Sequence, residues 1–334
     1  CIRDRVLFQV SASATDLYVN NKTGSDTNNG LTAEQRGPRV GPMRSITRAL
    51  KAATAGDTIV VANTNEPYRE SLTLQGSKHS SNGITPFRIQ GNNAMIDGTS
   101  LIDDGAWEHA TKTVFSFKPH LLTYQQLYHQ GKPLARVVCD EMEQLDELQP
   151  MEWTLLDGRI YFCAEEDRLP QYYDLTYCGQ PVGMTLYNVR GVVIEDLTIQ
   201  GFQLDGINAH DNVFDATVLG CTLRGNGRSG MHIGGASRVK IEACLIGNNG
   251  KAQVHCSDYC RVTIDQCDLV DDPAAPTIQS AATPRIKVDG EPFQATESVS
   301  YTHLRAHEPR HDVVCRLLLE KKRGGGGGGG GGGG

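Results

Sequence analysis

The residues best placed to do chemistry in this 334-residue sequence lie between Asn208 and Asp258. Three histidines, His210, His232 and His255, and two aspartates, Asp211 and Asp258, recur there at intervals close to 23 residues or twice that. Two carboxylates facing one glycosidic bond can cleave it, one as acid and the other as base, provided that they sit ~6.5–9.5 Å apart for an inverting reaction. Imidazoles beside them would hold sugar hydroxyls or tune the acid. Asp211, Asp258, His232 and His255 are therefore the candidate catalytic residues, and Asn208, His210, Arg228 and Lys251 the candidate substrate-binding residues. A second chemistry fits the same set. In β-elimination from a uronate, a cation neutralises the sugar carboxylate, and Lys251, Arg228 or a histidine removes the C5 proton. Ca²⁺ is a possible helper in that route, but it needs several oxygen ligands, and no acidic cluster in the sequence supplies them. The expectation is no cofactor and no metal, with a His210–His232–His255 site as the alternative. Bland readings stand beside these: Asp and Gly at chain corners form turns, and outward histidines, lysines and arginines are commonly solvated.

What must position these groups is an internal repeat. The segments beginning at Gly183, Gly206, Gly230 and Ala252 align so that Ile194, Val218, Ile241 and Ile264 fall in one column, Leu197, Cys221, Cys244 and Cys267 in a second, and Ile199, Leu223, Ile246 and Leu269 in a third. Short strands of period two separated by Gly, Asn and Asp turns, repeated at this length, signal a solenoid whose coils bury their apolar faces only by stacking. Equivalent residues then lie ~4.8 Å apart. Strand parity sends Met184, Ile207, Met231 and Val254 inward. Thr185, Asn208, His232 and His255 point outward, followed by Tyr187, His210, Gly234 and Ser257. His232 and His255 should be ladder neighbours. Asp211, Gly235 and Asp258 should occupy successive corners, which puts the two carboxylates roughly 9.6 Å apart by the strand spacing. The fold class expected is all-β: a right-handed parallel β-helix solenoid with a short N-terminal capping helix and a β-rich insertion.

The rest of the chain fits this plan. Leu17–Val19 reads as a first strand, and Ser45 is a suitable N-cap for a helix over 45–54 with Ile46, Ala49, Leu50 and Ala53 on one face. Strands are expected at 58–62, 71–74, 87–90 and 94–97. The repeat is lost over 101–177, a segment that holds both tryptophans, Trp107 and Trp153, and reads as a small β-rich insertion with a hairpin at Asp157-Gly158. Coils resume over 178–298, with the cap and first coils over 17–100. Residues 6–16 resemble the end of a secretory signal peptide, so a secreted protein is expected. Cys1–Arg5 and Ser298–Thr302 back-translate to strings that are reverse complements of each other. Residues 1–5 and 299–334, the latter ending in a glycine run, therefore resemble translated sequencing adapter and are set aside from fold reasoning. Further coils are then expected beyond 298, and without them an open last coil prone to aggregation.

With those ends set aside, 24 Lys and Arg oppose 35 Asp and Glu, a net charge of −11 against −7 for the whole sequence. An acidic surface argues against nucleic acid as a partner; a local basic groove for an anionic polymer remains compatible with it. No apolar run reaches the length of a membrane span, and a monomer is expected. Eight cysteines remain. Cys221, Cys244 and Cys267 read as a column of free core thiols, because parallel stacking seldom offers disulfide geometry. The state of Cys139, Cys163, Cys178 and Cys260 is left open, and with no C-x-x-C pair a structural zinc site is not expected.

The stretches YVNNKTGSDTNNG, SITRALKAATAGDTIVVAN and EWTLLDGRIYF, together with the coils from 183, resemble bacterial secreted right-handed β-helix proteins, a group that includes polysaccharide lyases and glycoside hydrolases. The resemblance covers nearly all of 17–298. It implies extracellular carbohydrate chemistry with a polysaccharide or glycan as partner, and carries over no catalytic motif residue by residue. The leading expectation is a glycan-cleaving enzyme; the rival is a non-catalytic β-helix for adhesion or glycan binding.

Overall fold

A computed structural model describes residues 14–272, 275–281 and 283–293. The expectations for residues 1–13 and 294–334, including the adapter-like ends, most of the leader and any further coils, lie outside the described residues. The remainder is an all-β, right-handed parallel β-helix. One parallel sheet stacks Leu72–Gln75, Met184–Tyr187, Asp205–Asp211, Ser229–Ile233, Ala252–Cys256 and Ile278–Ser280 in that order. A longer sheet runs Asp16–Val19, Thr58–Val61, Phe87–Asp97, Val192–Gln200, Ala216–Leu219, Arg238–Glu242, Arg261–Asp265 and Arg285–Val288, and carries Thr222–Arg224, Leu245–Gly247 and Asp268–Leu269 as a lateral ladder. Each coil thus returns to the same register, with Ile194 beside Val218, Val218 beside Ile241 and Ile241 beside Ile264. Their side chains are no more than 1% exposed, as are Met184, Ile207, Met231 and Val254 from the facing sheet. Burying these columns is what stabilises strands too short to stand alone.

The corners explain how so short a repeat closes. Asp196, Gly220, Ala243 and Gln266 all take positive φ, between 51° and 60°, at equivalent places in successive coils. A residue in the left-handed region reverses the path of the chain in one step, at a cost for residues with a Cβ. Immediately after this corner comes the cysteine column. The Cys221 amide donates to Cys244 Sγ and the Cys244 amide to Cys267 Sγ, each at 3.4 Å. The thiols donate back to the carbonyls of Leu219, Glu242 and Asp265. All eight cysteines among the described residues are free, which answers the question left open for Cys139, Cys163, Cys178 and Cys260. The adjoining Cys221 thiol, with burial, pushes Cys244 up to about 12.

The helix Ile46–Ala52 packs Ile46, Ala49 and Leu50 against the first coils, and the Ser45 hydroxyl accepts from the Arg48 amide. The strands expected at 87–90 and 94–97 are one continuous strand, Phe87–Asp97. Asn92 and Asn93 adopt φ of 50° and 61° and bulge the strand at its corner, after which pairing resumes at Ala94 opposite Leu197. Between Thr99 and Cys178 lie two four-stranded antiparallel sheets, one of them containing the Trp153–Leu156 and Arg159–Cys163 hairpin. Asp157 and Gly158 at its tip both have positive φ, 48° and 72°, as a two-residue turn of this hand requires. These sheets abut the solenoid at the corner before Ser229–Ile233. There the Tyr128 hydroxyl donates to the Gly225 carbonyl and Gln203 Nε2 donates to the Thr123 carbonyl at 2.7 Å.

Candidate functional site

The outward rung of the shorter sheet is Thr73, Thr185, Asn208, His232, His255 and Gln279, each residue in register with the next. The imidazoles of His232 and His255 are direct neighbours, with ring centroids 4.8 Å apart and planes tilted by 32°. The expectation of an exposed pair is corrected for one member: His232 is only 3% exposed and Asn208 6%, whereas His255 is half-buried. The reason is the ladder itself. His232 has Asn208 on one side, the His255 ring on the other, and Ser257 Oγ 3.2 Å from its Nε2 along its edge.

One register position differs from the sequence alignment. Tyr187 pairs with Asp211 rather than with His210, because an extra residue bulges the strand at this point. The bulge re-aims His210, whose ring stacks on Tyr187 with centroids 6.3 Å apart and planes at 27°. The next corner brings the two aspartates together. Asp258 Oδ2 accepts the Gly235 amide at 2.9 Å and the Ser257 hydroxyl at 3.1 Å. Asp211 Oδ1 lies 2.5 Å from where a Cβ on Gly235 would stand, and Gly235 has φ +60°. Both carboxylates therefore converge on one glycine. Covalent geometry about its Cα limits their nearest oxygens to at most about 8 Å apart, closer than the coil spacing alone implies. The Gly235 amide, with Ser257 and the nearby His232 and His210, holds the Asp258 carboxyl below the usual carboxylate range even against partial burial. Asp258 is therefore anionic at neutral pH.

The far end of the same strands behaves differently. Arg228, expected to meet substrate, is 6% exposed and is committed to Asp205, which is wholly buried: Nε donates to Oδ1 at 3.0 Å and Nη2 to Oδ2 at 2.6 Å. Ser229 Oγ also donates to Asp205 at 2.6 Å, and Asn208 Nδ2 at 3.1 Å. Burial pushes the Asp205 carboxyl up, but Arg228, His232 and Ser229 outweigh it and hold it low. Arg228 is thus a buried strut. The sequence places Asp205, Arg228 and Lys251 at one end of neighbouring strands but does not show that the aspartate claims the arginine. Lys251 is half-buried, with its Nζ 5.6 Å from the Tyr124 ring, which also lies 6.0 Å from the Arg228 guanidinium carbon. Tyr124 belongs to the insertion, which walls this end of the face.

Asp205 orients Asn208 as well. A carboxylate only accepts, so the amide nitrogen of Asn208 must face it, leaving Oδ1 as a buried acceptor with no hydrogen-bond partner among the described residues. Three participants carried no role in the sequence reading: Ser257, which links His232 to Asp258; Asp205; and Tyr259, 76% exposed directly after Asp258. Only Tyr259 had a readable signal, an aromatic residue in an otherwise small and polar corner. Among the described residues no group of three or more His, Cys, Asp or Glu is arranged to hold a metal ion, so the three-histidine alternative lacks its geometry. No helix is long and apolar enough to cross a membrane.

Comparison with known proteins agrees on architecture. A family model described as right handed beta helix region matches residues 172–284. No curated protein matches the sequence. Among solved structures, one described as a glycoside hydrolase superposes with a TM-score of 0.58 at 10% identity, covering 82% of this chain and 77% of that one. A complex of XylC with xylose (TM-score 0.39, 12% identity, covering 82% and 70%) and the pectate lyase Pel9A (0.40, 12%, covering 87% and 58%) are more distant in shape. At such identities the likeness speaks for the fold: this chain is a right-handed parallel β-helix.

Proposed function

We propose that this chain is a secreted polysaccharide-active protein that cleaves glycosidic bonds at the corner formed by Asp211, Gly235 and Asp258. The observation that carries the reading is the convergence of two carboxylates on Gly235, whose missing side chain lets Asp211 Oδ1 come close while its amide holds Asp258. Their separation, bounded at about 8 Å, is compatible with an inverting pair. In this reading Asp258, held anionic by the Gly235 amide, activates water as the base, and Asp211 protonates the leaving oxygen. His232 acts through Ser257 on the position and charge of Asp258 rather than on substrate. His255, His210 with Tyr187, Lys251 and the exposed ring of Tyr259 border the space for sugar, while Asn208, buried beside Asp205, does not reach it. No metal enters the scheme; Ca²⁺ assistance belongs to the lyase alternative.

The test is polysaccharide digestion by the full chain with two readouts. New reducing ends without unsaturated sugar indicate hydrolysis, whereas ultraviolet-absorbing unsaturated uronate indicates β-elimination. Asp211→Asn and Asp258→Asn should each lower turnover by at least about 10²-fold. Wild-type cleavage that survives both substitutions would refute the assignment. Binding without any cleavage would favour the rival reading, a non-catalytic glycan-binding β-helix, to which the burial of His232 lends support.

A further inference from the structure

The longer sheet carries a second chemically distinctive ladder on its outer face. Val239, Ile241, Val262, Ile264, Ile286 and Val288 point into the solenoid, so the alternate residues point out. The first outward rung is Arg238, Arg261 and Arg285, paired in register on three consecutive coils and all exposed. On the previous two coils the neighbouring rung, Arg190 beside Phe214, reaches toward it. Phe214 lies between the guanidinium carbons of Arg190 and Arg238, 5.3 Å and 5.2 Å from its ring centre, and Arg190 is also exposed.

None of these four arginines has a carboxylate within 4.0 Å among the described residues. The acids of this face are placed otherwise. Glu242 and Asp265 stand at the opposite end of the strands and engage Lys240 at 2.8 Å and 3.7 Å. Asp215 is exposed and continues the arginine rung one coil back, opposite Arg238, but its backbone is turned by a φ of 56° and it makes no ion pair with Arg238 within 4.0 Å. Like charges directly opposite on neighbouring strands destabilise a sheet. Here three arginines share one rung in a chain whose net charge is −7.

We propose that this ladder is a docking strip for a linear acidic polysaccharide lying along the solenoid axis. The strand spacing, ~4.8 Å, presents one guanidinium per coil, a period close to the length of one sugar in an extended chain. A guanidinium grips a carboxylate or sulfate through two parallel N–H bonds, which a lysine ammonium does not do. A nucleic acid fits less well. Single strands need open aromatic faces for base stacking, and the Phe214 ring is already engaged by the Arg190 and Arg238 guanidinium groups. The acidic remainder of the surface would repel a duplex. The strip lies three residues beyond Asp258 in the chain but uses none of the groups assigned to cleavage, so it stands whether or not the chain is an enzyme.

The experiment is affinity electrophoresis of the full chain through gels containing polygalacturonate, its methyl-esterified form, or duplex DNA. Retardation by polygalacturonate should weaken as salt is raised and should be absent with the ester, which keeps the backbone and loses the charge. The triple variant Arg238→Ala/Arg261→Ala/Arg285→Ala should bind polygalacturonate at least about tenfold more weakly, while Arg36→Ala, which removes an exposed arginine outside the strip, binds as the wild type does. The triple Arg→Lys variant should recover only part of the loss. Full affinity in the triple alanine variant, equal retardation by the ester, or equal retardation by DNA would each overturn the proposal. Should the triple variant not fold, the single substitution Arg261→Ala, at an exposed position, should still weaken binding a few-fold, and its failure to do so would count equally against the strip.

Discussion

Replacing Asp205 by asparagine removes one charge from a site with no access to water. Asp205 is wholly buried and accepts from Arg228 twice, from Ser229 and from Asn208. The substitution leaves the 6%-exposed Arg228 without its counter-charge and turns an acceptor-only group into one that presents donors to other donors. Breaking a buried pair from one side costs about 3–5 kcal/mol. For a domain of this size that corresponds to roughly 6–20 °C in melting midpoint. Equilibrium urea unfolding at neutral pH measures it directly. The pH dependence gives a second, independent check. Since Arg228 and its neighbours hold the folded carboxyl below its unfolded value of about 3.9, its stabilisation is fully present above that pH and is lost as pH falls through the folded value. The gap between wild type and Asp205→Asn should therefore be constant from about pH 5 to 8 and shrink only in stronger acid. Adding Arg228→Met should recover much of the loss, because a buried pair replaced by apolar groups costs far less than a buried pair broken. A loss under about 1 kcal/mol, or no recovery in the double variant, would mean that Arg228 finds water or another partner and that the strut is not what holds this corner.

Three further outcomes are expected. Ala243→Gly should raise stability by roughly 0.5–1 kcal/mol in urea unfolding, since Ala243 sits at φ 51° with its methyl group exposed; a loss instead would contradict the cost assigned to the left-handed corner. Gly235→Ala should displace Asp211, whose Oδ1 stands 2.5 Å from the new methyl, and lower glycan turnover more than about tenfold with the solenoid still folded by circular dichroism. Peptide mapping after alkylation of the native chain should find Cys221, Cys244, Cys256 and Cys260 unmodified until denaturant is added, because all four are buried and no more than 2% exposed; early labelling of Cys244 would mean that the thiol column opens in the native state.

The solenoid was legible because its physics is periodic. A column such as Ile194, Val218, Ile241 and Ile264 repeats one packing requirement, and alignment exposes it. The same periodicity placed His232 against His255 and Asp211, Gly235 and Asp258 on one corner. What escaped was whatever depends on departures from the period. The bulge at His210 shifts one rung by a residue, and nothing in the local sequence marks it. The burial of His232 depends on which neighbours close around it. The loss of Arg228 to Asp205 is a contact between coils, and an outward position in a strand does not reveal whether a partner waits one coil away. The eight free thiols show both cases: the column at 221, 244 and 267 follows from the repeat, whereas Cys139, Cys163 and Cys178 lie where there is no repeat to read.

The uniform turn length has a consequence for how such a molecule changes. Because the circuits from Asp196 to Gln266 close with the same left-handed corner and return to the same register along the longer sheet, a whole circuit can be added or removed there without disturbing those on either side. Reactive groups carried on different circuits can then be moved apart or together only in whole steps of one strand width. Excision of the circuit holding Gly235 would place Asp211 and Asp258 on adjacent floors, and duplication would set them one floor further apart. Geometry here is adjusted by counting, and fine tuning is left to the irregular residues, such as His210, that break the count.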